Sequence, residues 1–192
     1  MKQLQRTLFF ITFPVWVFSF TIILNVFSSY LSAEEKPEMI ISYLIHTLRS
    51  INKPVCEKAA DNLQSLTDNK SNYDLHLRNA DLTYKEIQRI AEAIKTVHDK
   101  RGPSLKSFSM SYNKHLGDEG VFVLVKALPP TVTEIGLVQC GIGDQGGDSL
   151  ISWAINAPKL KWLCVEQNSF SDEIKRRFIQ LGKERNGLLV VL

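Results

Sequence analysis

Apolar residues along this chain change their spacing in a regular way. Between residues 105 and 128, Leu105, Phe108 and Met110 come first, the last two in strand alternation, and Asn113 follows. After a short glycine-containing turn, Val121, Leu124, Ala127 and Leu128 recur at helical spacing. A switch from period 2 to period 3.6 within about two dozen residues encodes one short strand feeding one helix. Such a unit cannot bury both of its apolar faces alone, so it is expected to recur.

It recurs along most of the chain. Leu75, Leu77 and Leu82 precede a helical run of Ile87, Ile90, Ala91 and Ile94. Val132, Ile135, Leu137, Cys140 and Ile142 make a third copy, and Leu160, Leu163, Val165, Asn168 and Phe170 a fourth. With Leu77, Met110, Leu137 and Val165 as equivalents, the steps are 33, 27 and 28 residues, the polar stretch 98–104 lengthening the first. One more step of 27 carries Leu163 onto Val190, so 187–192 reads as a fifth strand at the sheet edge. Its preceding helix is expected over 171–182, with Ile174, Phe178 and Leu181 facing in. A hydrophobic edge strand is a pairing hazard, so self-association through this strand is one expectation.

Three of the copies, LKSFSMSYN, VTEIGLVQC and LKWLCVEQN, resemble the leucine-rich repeat consensus LxxLxLxxN/C. The 27–28-residue period and the LGDEG and IGDQG turns are similar to the ribonuclease-inhibitor-like subclass. The resemblance runs from about Asn72 to Leu192. It implies an α/β fold, a short solenoid with a parallel sheet on its concave side and helices on its convex side. It also implies a macromolecular binding function, as an interaction module with a protein partner or as an inhibitor or regulator of an enzyme. Two departures mark the first copy as atypical: Ala80 stands where Asn or Cys is expected, and Ser71-Asn72 supplies no leading leucine.

In such a stack Asn113 and Asn168 are expected to turn inward and bond backbone groups left unpaired after each strand, with Cys140 buried in the same place. Asp118, Asp144 and Asp172 fall at helix starts, where a carboxylate satisfies free N–H groups. The residues between the apolar positions are expected on the concave face. They are Tyr73, Asp74, His76, Arg78 and Asn79, then Lys106, Ser107, Ser109, Ser111 and Tyr112. Thr133, Glu134, Gly136, Val138 and Gln139 follow, and finally Lys161, Trp162, Cys164, Glu166 and Gln167. The candidate binding set is Asp74, His76, Arg78, Lys106, Ser109, Tyr112, Glu134, Gln139, Trp162 and Glu166. Tyr112 and Trp162 are of the large amphipathic types that commonly carry binding energy, and Trp162 is the first choice of anchor.

Asp74, His76 and Ser109 also have the composition of a nucleophilic triad. Against a hydrolase, Ser109 sits mid-strand with its N–H committed to the ladder, and no GxSxG elbow is present. The chain is therefore read as a non-enzyme with no catalytic residues.

Upstream of the repeats, Ile40, Ile41, Leu44, Ile45 and Leu48 line one helical face, and Pro54 opens a second helix with Val55, Ala59, Leu63 and Leu66 on one side. Residues 34–70 are expected to cap the repeats of 71–192. Residues 1–33 form a separate hydrophobic segment: Lys2 and Arg6 precede an uncharged run from Leu8 to Phe27, long enough to span a bilayer. It reads as an uncleaved signal anchor or as a signal peptide, and either exports the repeats, leaving them membrane-anchored or secreted. The triplet Asn69-Lys70-Ser71 fits a glycosylation sequon.

Composition adds only boundaries. A net charge of +3 is too small to indicate nucleic acid as a partner. Four scattered histidines and three cysteines show no metal-ligand spacing, so neither metal nor cofactor is expected. Cys140 and Cys164 would lie roughly 13 Å apart by strand rise, beyond disulfide reach, and free thiols are expected.

Overall fold

The computed structural model describes residues 37–66 and 71–192. The run Leu8–Phe27 lies outside the described residues, as do Asn69 and Lys70 of the sequon. Among the described residues, no helix is long and apolar enough to cross a membrane.

Two helices come first, α1 (Pro37–Ile51) and α2 (Pro54–Gln64). Pro54 occupies the first turn of α2, where a missing N–H costs nothing. Strands and helices then alternate: β1 (Asn72–His76), α3 (Tyr84–Asp99), β2 (Ser104–Ser109), α4 (Gly117–Ala127), β3 (Glu134–Gly136), α5 (Asp144–Ile155), β4 (Trp162–Cys164), α6 (Asp172–Glu184) and β5 (Leu189–Val191). The strands form one parallel sheet in the order β1-β2-β3-β4-β5. A parallel connection needs a crossover, and each of α3 to α6 supplies one. The helices stack in the same order, α3 on α4, α4 on α5 and α5 on α6, while α1 packs on both α2 and α3.

The core lies between the sheet and these helices. The four equivalents, Leu77, Met110, Leu137 and Val165, are all fully buried within it. The fifth strand pairs in the register that the repeat length requires, Val190 opposite Leu163.

The first repeat corrects one expectation. Tyr73 does not face outward; it is 3% exposed, in the core with Leu75 and Leu77. It takes the leading apolar place, but one residue separates it from Leu75 where two separate Leu105 from Phe108. The sheet absorbs the missing residue as a register shift between Tyr73 and Asp74, leaving Lys106 without an opposite number in β1.

An inward column of polar side chains ties the repeats together. Asn113 Nδ2 donates to the carbonyls of Leu77 and Met110 at 2.8 and 2.7 Å, and its Oδ1 accepts from Leu82 N–H at 3.1 Å. Asn168 repeats this two junctions further on, to Leu137, Val165, Cys140 and Ile142. Between them Cys140 offers a thiol that donates to the Met110 carbonyl at 3.4 Å, and burial pushes that thiol up to about 11. The helix-start aspartates also work between repeats. Asp118 accepts from Gly143 N–H at 2.6 Å and Asp144 from Ser171 N–H at 2.8 Å, so each serves the turn of the following copy. The bond from Ser171 holds the Asp144 carboxyl below its usual range.

Candidate functional site

The sheet face opposite the helices carries the candidate residues, and the strand register sets them in rows. One row runs Asp74, Ser107, Glu134, Trp162, Leu189 across the five strands. The next runs His76, Ser109, Gly136, Cys164, Val191. The first row is polar toward β1 and apolar toward β5. Trp162 and Leu189 stand side by side in it, 47% and 50% exposed.

Ser107 is the hub of the polar half. Its N–H donates to Asp74 Oδ1 at 3.1 Å and its hydroxyl donates to Glu134 Oε2 at 3.1 Å. A carboxylate only accepts, and a serine hydroxyl has one proton. The third contact, to His76 Nε2 at 2.9 Å, is therefore one in which the hydroxyl oxygen accepts. His76 holds its proton on Nε2 in this arrangement and is a donor, not a base, toward Ser107.

That geometry does not assemble the Asp74, His76 and Ser109 set. Ser109 lies opposite His76 in register, but His76 bonds Ser107 and Asp74 bonds a backbone N–H. The Ser109 hydroxyl is 3.4 Å from that of Ser111, and both residues are buried. Ser111 in turn accepts from Val138 N–H at 3.1 Å. Ser109, Ser111 and Val138 thus line the floor of the face, not its accessible surface. Alternation puts Ser107 and Ser109 on the same face, but the candidate set takes only Ser109, and the residue that bonds His76 sits two positions away from the one opposite it in register.

The remaining candidates fall into two groups. Arg78, Tyr112, Gln139 and Glu166 lie at or just beyond the strand ends. The Arg78 guanidinium sits over the Tyr112 ring, 5.2 Å from its centroid, a cation–π contact. Glu166 accepts from the Cys164 thiol at 3.3 Å; burial and this carboxylate push that thiol up, so it stays protonated. Lys106, in the shifted segment, is half-buried. All three cysteines are free. Asn79, Tyr112, Gln139 and Gln167, each one residue before the inward column, share a left-handed backbone with φ between 52° and 64°. A conformation common to four copies belongs to the repeat itself and marks no special site.

A cleft of about 560 Å³ opens beside β1, with Lys58, Ala59, Leu63 and Leu66 on one side and Tyr73 and Arg78 on the other. A shallower recess of about 250 Å³ lies over Ser107, Glu134 and Trp162. His76 and Arg78 line both, so the two are adjacent.

A family model described as a leucine-rich repeat matches residues 103–125, the stretch from the start of β2 through Asn113 into α4. The match supports a leucine-rich repeat protein. Proteins of that family are generally binding modules, commonly with protein partners, and the repeat points to a protein–protein interaction module. No curated protein matches the chain.

Proposed function

We propose that this chain is a protein–protein interaction module of the ribonuclease-inhibitor-like leucine-rich repeat type, taking a protein partner on the open face of its sheet. The subclass is supported by the 27- and 28-residue steps and by a helix of 11 to 13 residues after each of β2, β3 and β4. The observation that carries the binding reading is Trp162 beside Leu189. Two large apolar side chains stand about half exposed on paired strands of a rigid sheet, next to a polar row already oriented by Ser107. Exposed apolar area rimmed by polar groups is the usual make-up of a docking surface. Asp74, His76, Arg78, Lys106, Tyr112, Glu134, Gln139 and Glu166 form the surrounding contact set, with Ser109 beneath it. In the same reading α1 and α2 cap the first repeat, and β5 offers an edge for self-association. The uncharged run Leu8–Phe27, with Lys2 and Arg6 before it, supports export of the repeats, either anchored in the membrane or secreted.

The test is crosslinking of a partner from a photoreactive group at position 162, compared with one at Arg89 on α3. Capture is expected from position 162 alone; equal capture from both sites would end the open-face reading. For export, protease accessibility of the repeats on intact cells is expected, and full protection would end that part.

A further inference from the structure

Among the described residues one side of the β1 backbone is unpaired, and its direction can be read from its bonds. Leu77 N–H donates to the Ser109 carbonyl at 2.7 Å, and the Leu77 carbonyl accepts from Asn113, so the peptide groups of Leu77 face β2. Asn79 N–H likewise donates to Ser111. Peptide groups alternate along a strand, so those of His76 and Arg78 face away from β2. No described residue pairs with them. They open onto the 560 Å³ cleft, within the size range of ligand pockets. The far wall is α2 and the residues just after it, with Val55, Ala59 and Leu63 on the helix and Leu66 beyond its end.

The charges around the cleft are net positive, Lys58 and Arg78 against Asp74. Lys58 is exposed and pairs with no carboxylate among the described residues. Arg78 lies over the Tyr112 ring and likewise meets none. The one carboxylate of the lining, Asp74, is occupied by Ser107 N–H. Two cations against one carboxylate leave the lining net positive, beside an apolar wall and a row of backbone donors and acceptors that no described residue pairs.

We propose that the free edge of β1 takes a strand from a protein partner: an extended acidic segment with aliphatic residues at alternate positions, laid between β1 and α2. The proposal rests on the reading that the open face binds protein, and names what the β1 end of that face receives. Main-chain bonds to His76 and Arg78 hold the segment, as in other cases of strand addition at a sheet edge. Successive side chains of a strand point to opposite sides. One set meets the apolar wall of α2, and the acidic set comes out beside Lys58 and Arg78.

The experiment uses the full chain and a fluorescent heptapeptide of alternating glutamate and valine, read by anisotropy. Two comparators replace each glutamate with lysine or N-methylate alternate backbone amides. The acidic peptide binds at least tenfold more tightly than either comparator, and hydrogen exchange of the His76 and Arg78 amides slows at saturation. Lys58→Glu with Arg78→Glu weakens binding tenfold or more, while the melting temperature falls only slightly, through loss of the Arg78–Tyr112 contact. No binding of the acidic peptide, equal binding of the lysine or methylated peptide, or unprotected His76 and Arg78 amides would each overturn the proposal. So would a dimer in sedimentation that the peptide displaces, which would put a second copy on this edge. Trp162→Ala leaves heptapeptide binding intact. A failed heptapeptide alongside successful capture from position 162 removes the strand proposal and leaves the open-face reading standing; failure of both removes both.

Discussion

The two ends of the repeat stack are closed by different physics. At the N-terminal end, α1 lays Ile40, Leu44 and Leu48 into the core against α3, and the seal is apolar burial. One polar clamp adds to it. Lys53 Nζ donates to Glu86 Oε2 at 2.9 Å and to the Asp81 carbonyl, while Glu86 also caps its own helix through Thr83. Burial would raise the Glu86 carboxyl, but the Thr83 and Lys53 bonds outweigh it and hold it low. At the C-terminal end β5 is reached from α6 through Arg185. The Arg185 guanidinium donates to the carbonyls of Ala154, Ala157 and Leu160 just past the end of α5, adding a charged donor to Ala154 and Ala157 carbonyls that already accept from the backbone N–H groups of Ala157 and Leu160. One end is held mainly by the area its helices cover; at the other, a cation adds to the core contacts of Leu188 and Val190 and to the β4–β5 ladder. An apolar seal can cover a helix stack yet leave a strand edge and a cleft beside it, whereas the cation fastens β5 without covering anything.

The contrast can be broken by mutation. Leu44→Ala should cost about 2–5 kcal/mol in denaturant unfolding, because it empties a fully buried site; a loss under about 1 kcal/mol would mean that α1 contributes little. Arg185→Ala should cost about 1–3 kcal/mol through the loss of its charge-assisted bonds to three carbonyls. Its signature is local: faster hydrogen exchange in β5 and α6 with α1 and α3 unchanged. Uniform acceleration throughout would deny that the clamp belongs to one end.

Alkaline pH sharpens the same difference. Burial, with Glu86 nearby, pushes the Cys56 thiol of α2 from 9.0 up to about 11. The folded chain then holds a proton that the unfolded chain has lost, so this contribution is whole below pH 9 and is lost as pH rises through 11. Between pH 8 and 10.5 it amounts to about 1–2 kcal/mol, and Cys56→Ala should flatten that part of the profile. Burial raises the Tyr73 hydroxyl too, extending the sensitivity of this end to higher pH. An unchanged slope in Cys56→Ala would assign the alkaline loss elsewhere. The smallest effect on stability is that of Leu189→Lys, under about 0.5 kcal/mol for an exposed side chain. It should nonetheless abolish any self-association through β5 in sedimentation velocity, and an unaltered dimer would move that contact to another surface.

Periodicity made the sheet legible. Residues repeating in phase are those that point into the core, and the 27-residue step placed Val190 opposite Leu163 in a strand of three residues. It misled at Tyr73, because a missing residue shifts alternation by one and sends the next side chain to the other face. The site was less legible than the fold for a related reason. Asp118 to Gly143, Asp144 to Ser171, Arg185 to Ala157 and His76 to Ser107 each join residues 25 to 31 apart, one repeat away. Patterns within a copy say which side chain leaves the core, but not which backbone group of the neighbour it meets. Asn113 was readable because its position recurs; Arg185 occupies a place that occurs once, and nothing in the spacing singled it out.

The neighbour-only strand order has a mechanical consequence. Each strand pairs only with those before and after it in the chain. Tension applied at the C-terminus therefore meets one short ladder at a time, β5 before β4 and β4 before β3. The chain should lengthen in steps of one repeat, about 27 residues and so roughly 90 Å of extended backbone. A force trace would show a staircase, not a single rupture, with its first rise set by how firmly Arg185 grips the carbonyls behind it.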